Sequence, residues 1–472
     1  MSVSGVGGGN LDVAGIVEQL MTIERRPLQS MQKEQRDLNT KISALGSIQS
    51  QLSALRDAAR KLSTPSALEL YKVDAGDGKV ATASTTGSVA AGSYALTVAS
   101  LASNHALVTA RQATGATLGT GSLTIELGSM ATGSFVPTGS STTINISGGT
   151  LAEIRDAING SNAGVTASII RDGDGQRLSL SSKTSGAAGM MRISVTDSDG
   201  NNTDSSGLSA LAFNPGAAVG AGRNLTQTQA AADASYTLNG VPLTAASNTI
   251  TDAIDGLTIN LRSVSATPVN LDVKTDTDGI RKLLDDFVKA YNTLNSTLNT
   301  QTRYDAGSKN AGTLQGQRVA VGAMDQLRAM VRLAAPGAAA GSSSSGGLFD
   351  IARDGTLSIK SAGLENALKD MNSFKTLMSA DGTQGNAGSQ GVADRFVNLV
   401  NRLLGSDGAV TTQLQGWRDS VNASQRRQDA FTDRLATTEE RLRRQYANLD
   451  TQLSNINAQL NPISQLVNSL GR

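Results

Sequence analysis

The sequence has no cysteine, which excludes disulfides, thiolate nucleophiles and cysteine-ligated zinc. It is poor in other reactive groups too. There is one histidine, His105, and one tryptophan, Trp417, and aromatic residues make up 3% of the chain. A lone histidine cannot build a histidine-based metal site, and no nucleophile–base pair surrounds it, so His105 is expected on the surface of a β-domain. Trp417 is expected to anchor a helix–helix contact. An excess of one charge is also missing. With 41 Lys and Arg against 40 Asp and Glu, there is no field to gather nucleic acid or anionic lipid, and neither is an expected partner. No apolar run reaches the roughly 18 residues of a membrane span, so no membrane insertion is expected. Met1 to Asn10 is rich in Ser and Gly and lacks the basic start and apolar core of a secretory signal peptide.

What the chain has in quantity is glycine, 50 residues of 472, with 39% apolar residues in periodic order. That combination points to folded, lightly packed domains with many turns, not to disorder. The length allows roughly three or four domains.

The two ends share one pattern and the middle has another. Val13, Ile16, Val17, Leu20 and Ile23 follow helical steps until Pro27 interrupts. A second helix carries Leu38, Ile42, Leu45, Ile48, Leu52, Leu55, Ala59 and Leu62, with coiled-coil spacing from Leu45 onward and a stop at Ser63-Thr64-Pro65. At the other end, Leu435, Leu442, Leu449, Ile456, Ile463 and Leu470 lie seven apart. Tyr446, Leu453, Leu460 and Val467 form a second series of the same period, so the two fill a and d positions. A terminal helix of about 40 residues would extend ~60 Å, with a kink or restart at Pro462. Arg418 to Asp450 holds seven Arg and six acids, which reads as an ion-paired, solvated face. Further helices are expected over Ile280–Leu298 and near Arg318–Leu333, Ser361–Ser379 and Gly391–Leu404. A flexible loop is expected at Ala334–Gly347.

From about Val73 to Thr275 the period becomes two. Tyr94, Leu96 and Val98 alternate, as do Leu123, Ile125 and Leu127, and later Leu257, Ile259 and Leu261. Turn clusters such as Arg171-Asp172-Gly173-Asp174-Gly175 separate the strands. One helix, Leu151 to Asn159, lies among them. A β-rich block is thus inserted between helical ends. If the ends pair, the chain folds back on itself with β-domains at the turn.

Motifs that could carry chemistry are weak. Gly5-Val6-Gly7-Gly8-Gly9 has no preceding strand and no following Lys-Ser or Lys-Thr, so it is not a phosphate loop. A calcium loop begun at Asp197 would place Leu208 where the bidentate glutamate belongs, and hairpin turns explain these aspartates better. Scattered carboxylates do not make a glycosidase. No enzyme activity, metal or cofactor is expected.

An ordered series of segments resembles the flagellar filament cap family, also called flagellar hook-associated protein 2. It opens with Leu11-Asp12-Val13-Ala14-Gly15-Ile16-Val17-Glu18-Gln19-Leu20-Met21, then Ile23-Glu24-Arg25-Arg26-Pro27-Leu28 and Lys41-Ile42-Ser43-Ala44-Leu45-Gly46. Leu151-Ala152-Glu153-Ile154-Arg155-Asp156-Ala157-Ile158-Asn159 is similar to the IN repeat of flagellin relatives, and Ser247 to Leu257 resembles that group as well. Phe287-Val288-Lys289-Ala290-Tyr291-Asn292, Arg353-Asp354-Gly355-Thr356-Leu357-Ser358 and Arg443-Arg444-Gln445-Tyr446 continue the likeness to the C-terminal half.

The resemblance implies an α+β multidomain fold: N- and C-terminal coiled-coil helices (D0), a helical-bundle leg (D1) and two inserted β-rich head domains (D2, D3). On this sequence the borders fall at 1–36 and 441–472 for D0, 37–74 and 276–440 for D1, 75–105 and 226–275 for D2, and 106–225 for D3. It implies a chain exported through the flagellar type III channel to the distal tip, where it assists insertion of flagellin, prevents its leakage and supports motility. Implied partners are further copies of itself in a ring, a pentamer or hexamer, then flagellin, the hook–filament junction proteins and an export chaperone. Some family members also act in adhesion. The alternatives are another axial component, such as a hook–filament junction protein, or a surface adhesin. The candidate interface residues are the seam positions Leu45, Ile48, Leu52, Leu55, Leu435, Leu442, Tyr446, Leu449, Leu453, Ile456 and Leu460.

Overall fold

The structure is a computed structural model and describes residues 12–173, 175–307, 309–333, 347–380 and 389–470. The chain begins with two helices, α1 (Val13–Glu24) and α2 (Arg26–Ser63), and crosses a β-rich insert that carries one helix, α3 (Leu151–Gly160). It returns through α4 (Thr277–Thr302), α5 (Arg318–Arg332), α6 (Ser361–Lys369), α7 (Met371–Ser379), α8 (Val392–Leu404) and α9 (Ala409–Leu470). Two compact units result: Met1–Leu68 with Asp278–Arg472, and Glu69–Thr277. This is the expected α+β layout of helical ends around inserted sheets.

In the helical unit, Pro27 makes a shallower break than expected. Arg25 keeps helical angles (φ −79°, ψ −14°), and its N–H still reaches the Met21 carbonyl at 2.9 Å. Pro27 falls in the first turn of α2, where its missing N–H would have had no partner anyway. The α2 face Leu45, Ile48, Leu52, Leu55, Ala59 and Leu62 is buried and packs on α8 and α9. A large share of the chain's few aromatics meets in this unit. Phe396 lies edge-on to Phe287 (5.1 Å between centroids) and Tyr291 (5.9 Å), and Phe287 also touches Phe349. The buried Arg395 donates to the carbonyls of Leu333 and Gln390, satisfying backbone groups just past α5 and before α8. A hairpin, Phe349–Ile351 with Leu357–Ile359, completes the unit.

Three expectations change here. The single helix over 361–379 is two, because Asp370 leaves helical angles and its carboxylate caps Asn372 N–H (3.1 Å) and Ser373 N–H (3.2 Å). The terminal helix has 62 residues, not about 40. It also runs through Pro462 without a break. The carbonyl that loses its hydrogen bond there belongs to the exposed Ala458, where water can replace it. The expected loop at Ala334–Gly347 lies, but for Gly347, outside the described residues.

The β-rich unit has two separate cores. The first unites a five-stranded antiparallel sheet, in the order Tyr71–Ala75, Val269–Thr275, Gly92–Ser100, Ala234–Leu238, Val241–Ala245, with a three-stranded one. Its hairpin Ala234–Leu238/Val241–Ala245 turns on Asn239-Gly240, both at positive φ (51° and 81°), the pair that a two-residue turn of this twist requires. The second core gathers Leu123, Ile125, Leu151, Ile154, Leu178 and Ile193 from two further sheets and α3. Thr150 and Glu153 cap α3 reciprocally. Two antiparallel crossings join the cores, where Ser103 and Ala232 exchange backbone hydrogen bonds of 2.8 and 3.3 Å.

His105 is buried, not on the surface as expected. It alternates in step with Leu107 on a strand whose burial also alternates, so the period-two rule sends both side chains inward. Its Nδ1 accepts the Met191 N–H at 2.9 Å and its Nε2 lies 3.3 Å from Gln227 Oε1. The ring packs on Phe213 at 5.4 Å. Nδ1 is therefore the unprotonated nitrogen, and burial holds the imidazole pKa below its ordinary value.

Candidate functional site

The feature most able to act on a partner is the stem formed by the two ends of the chain. The helix α1 and the start of α2 run antiparallel to α9. Val17, Met21 and Leu435 are buried together, with Val13, Leu28, Phe431, Leu442 and Tyr446 packed around them. At the edge, Arg25 Nη2 meets Glu439 Oε2 at 3.4 Å, an exposed pair that contributes little. Glu439–Arg443 and Glu440–Arg444 add ion pairs one turn apart along α9.

Below that cluster lies a polar layer. Gln428 Nε2 donates to Gln35 Oε1 (2.8 Å), and Gln35 Nε2 donates to Gln425 Oε1 (3.0 Å). Ser424 and Gln428 are buried. Gln428 occupies the heptad position seven before Leu435, so the layer interrupts the apolar seam in register. A reading confined to apolar residues misses it; the preceding member of the same heptad would have found it.

The predicted interface residues divide into groups. Leu45, Ile48, Leu52 and Leu55 are fully buried within the helical unit. Leu435, Leu442 and Tyr446 come together against α1. Leu449, Leu453 and Ile456 are exposed at 42%, 38% and 51%, although they continue the same heptads. The side chain of Leu460 lies outside the described residues. Trp417, two turns into α9, is buried as a packing anchor should be.

A second polar feature has no counterpart in the apolar reading. Asn292, Asn295 and Asn299 lie three and four apart on one side of α4 and, with Arg303 just past its end, line a cleft of about 520 Å³ with Arg328, Arg353 and Asp354. The polar stripe beside the buried Tyr291–Leu294–Leu298 face was its available signal.

Asp197, weighed as a calcium ligand, instead accepts backbone N–H groups of Ser209 (2.9 Å) and Asp199 (3.4 Å) and organises its own loop. Among the described residues no three His, Asp or Glu side chains are grouped to hold a metal ion, and no helix is long and apolar enough to cross a membrane.

Comparison with known proteins gives three family matches. The model for the flagellar hook-associated protein 2 N-terminus matches residues 9–105, the model for its C-terminus residues 231–458, and the flagellin hook IN motif residues 131–184. The two hook-associated models together span well over half of the chain. The B-type flagellar hook-associated protein 2 of Pseudomonas aeruginosa is 32% identical over 306 residues, 63% of each chain. The A-type protein of that species is 27% identical over 99% of this chain and 98% of its own. Among solved structures, the D1–D2–D3 domains of the Escherichia coli flagellar cap protein align with TM-score 0.61 and 25% identity, covering 79% of this chain and 99% of that one.

Proposed function

The chain belongs to the flagellar hook-associated protein 2 family, the caps of bacterial flagellar filaments, and from that premise we infer how its parts serve a cap at the distal tip of the filament. The observation that carries the reading is the pairing of the two chain ends into one stem whose seam remains uncovered at Leu449, Leu453 and Ile456. These side chains have apolar area left to bury, roughly 1 kcal/mol each once covered. The neighbouring copies in the cap, or the flagellin beneath it, would supply the cover.

A cap has to stay attached while each new flagellin enters below it. Several weak contacts per subunit suit that better than one large apolar interface. A seam of three half-exposed aliphatics provides contacts of that strength. The β-rich heads would meet head to tail, and a rotation that closes gives a ring, a pentamer or hexamer, holding emerging flagellin until it folds and inserts. The two cores of the insert support assigning residues 106–225 to D3 and 75–105 with 226–275 to D2. The helical unit, Met1–Leu68 with Asp278–Arg472, would divide into a stem and a leg. The strand Tyr71–Ala75 packs in the first β core, so 69–74, expected in the leg, would go with D2, and the stem on α9 would begin near Ser424, before the expected border at 441. Junction proteins and an export chaperone complete the partner set, and subunit addition itself drives the cycle without catalysis.

Deletion of the gene in its motile host tests this directly. Cells should become non-motile and release flagellin monomer into the medium. Normal filaments on the deletion strain would overturn the assignment. Top views of the purified oligomer by electron microscopy should show five or six subunits.

A further inference from the structure

The cleft on α4 has a built interior. Asn292 is locked to the hairpin through both amide atoms: its Nδ2 donates to the Leu357 carbonyl (2.8 Å) and its Oδ1 accepts the Leu357 N–H (2.7 Å). One turn on, Asn295 and Asn299 donate to the Asp354 carbonyl and accept from Arg328 Nη2. That same nitrogen also reaches the Asp354 carbonyl at 2.9 Å. Gly355 permits the approach. It stands at φ 89°, and a Cβ there would come within 2.6 Å of Asn295 Oδ1 and closer still to Arg328 Nε. The backbone of the hairpin is thus drawn onto one guanidinium, which is held by three acceptors.

Its charges are balanced only in part from within, since the lone carboxylate Asp354 interacts with Arg328 and leaves two further guanidinium groups. Three guanidinium groups, on Arg303, Arg328 and Arg353, line about 520 Å³ of space. Among the described residues none of them pairs with an acidic side chain. The one carboxylate in the lining, Asp354, is turned into its own loop, where Oδ1 accepts the Thr356 N–H at 2.9 Å. Arg328 Nε lies against Gly355 and has no hydrogen-bond partner among the described residues. The hydroxyls of Ser296 and Thr300 also border the space.

We propose that this cleft binds an acidic side chain of a partner polypeptide, with the partner's carboxylate between Arg303 and Arg353 at the rim and its neighbouring backbone against the Ser296 and Thr300 hydroxyls. A planar carboxylate matches the fork of a guanidinium. A dianion such as phosphate would meet more repulsion from Asp354 than a single carboxylate does. The space exceeds what one carboxylate fills, and its polar walls suit the peptide groups flanking a Glu or Asp. The inference rests on the cleft and does not require the cap assignment.

Calorimetric titration of the full-length protein with a capped Glu/Asp-rich decapeptide, against its Gln/Asn counterpart, tests it. The acidic peptide should bind and the amide peptide should not. The double variant Arg303→Gln/Arg353→Gln, in which both altered side chains are exposed, should keep its thermal midpoint and weaken binding about tenfold. Succinate and inorganic phosphate should bind at least about tenfold more weakly than the peptide, since they leave the Ser and Thr walls unused. The proposal falls if the acidic peptide does not bind, if the amide peptide binds equally, or if the double variant binds as the parent does. Tighter binding of succinate or phosphate than of the peptide would assign the cleft to a free anion and overturn it as well.

Discussion

One heptad register runs along α9, yet its two halves have different fates. Leu435 is buried against Val17 and Met21, whereas Leu449 and Ile456, two and three heptads on in the same series, stand 42% and 51% exposed. The sequence signal is equal in both halves. The difference is that α1 covers α9 as far as Tyr446. Heptad spacing therefore records that a face is meant to be covered, and not whether the cover comes from the same chain. The buried half behaves as a core and the exposed half is the part proposed as an interface, and each can be tested against the other.

The largest effect is expected inside the helical core. Leu52 is fully buried between α2 and its neighbours. Leu52→Ala should destabilise the helical unit by about 3 kcal/mol, through lost transfer energy plus the cavity left behind. Chemical denaturation followed by helical circular dichroism reads this. A loss under about 1 kcal/mol would mean that the α2 seam is not a core, and the contrast with the outer half of α9 would vanish.

Next comes the β-rich unit, where His105 should make stability depend on pH. Folding holds the imidazole neutral, with burial lowering its pKa below the unfolded value near 6.5. Between the two values the unfolded chain binds more protons, so stability rises with pH. It is complete above about 6.5 and is lost as pH falls toward the lowered folded value, at up to about 1.4 kcal/mol per pH unit. The sequence holds no other histidine, and the carboxylates of this unit whose pKa is shifted are shifted downward, so they act at more acid pH. Denaturation midpoints of the β signal at pH 7.5 and 5.5 should differ, and the His105→Gln variant should flatten the difference. The stem has no such group, so its own unfolding should be level over this range.

A third test concerns the boundary between the apolar cluster and the glutamine layer. Replacing both members, Gln35→Leu with Gln428→Leu, exchanges a part-buried amide pair for apolar contact. The result should be neutral to about 1 kcal/mol more stable. Gln428→Leu alone leaves Gln35 without its donor and should lose about 1 kcal/mol. Thermal melts of the single and double variants decide between a register-setting pair and a passive one. If the single variant is as stable as the double, the two amides are uncoupled.

The outline of the fold was legible because periodicity is a strong signal in long elements. The change from heptads to alternation marked the insert, and Pro65 and Ser63-Thr64 marked the end of α2. Asp370 was overlooked, although an Asp two and three residues ahead of Asn372 and Ser373 is a capping signal that apolar spacing cannot register. The burial of His105 was present in its alternation with Leu107, but an expectation based on residue type placed it outside. The Asn292–Asn295–Asn299 stripe had the right spacing for one face of a helix. Its charge partners, however, come from α5 and from a hairpin over fifty residues away, and only folding brings those together.

The smallest effect on stability is expected at the outer half of α9, and that smallness is the informative part. Leu453→Ala with Ile456→Ala removes side chains that are 38% and 51% exposed, so the isolated protein should lose less than about 0.5 kcal/mol. Association should respond differently. If neighbouring copies or flagellin cover this face, sedimentation of the variant should shift toward the monomer, and filament growth in cells carrying it should slow. The same double change moved inward, to Leu52 and Leu55, should unfold the leg before association can be measured. A variant at 453 and 456 that assembles and supports motility like its parent would show that exposure here is incidental, and the heptads beyond Tyr446 would then need no partner.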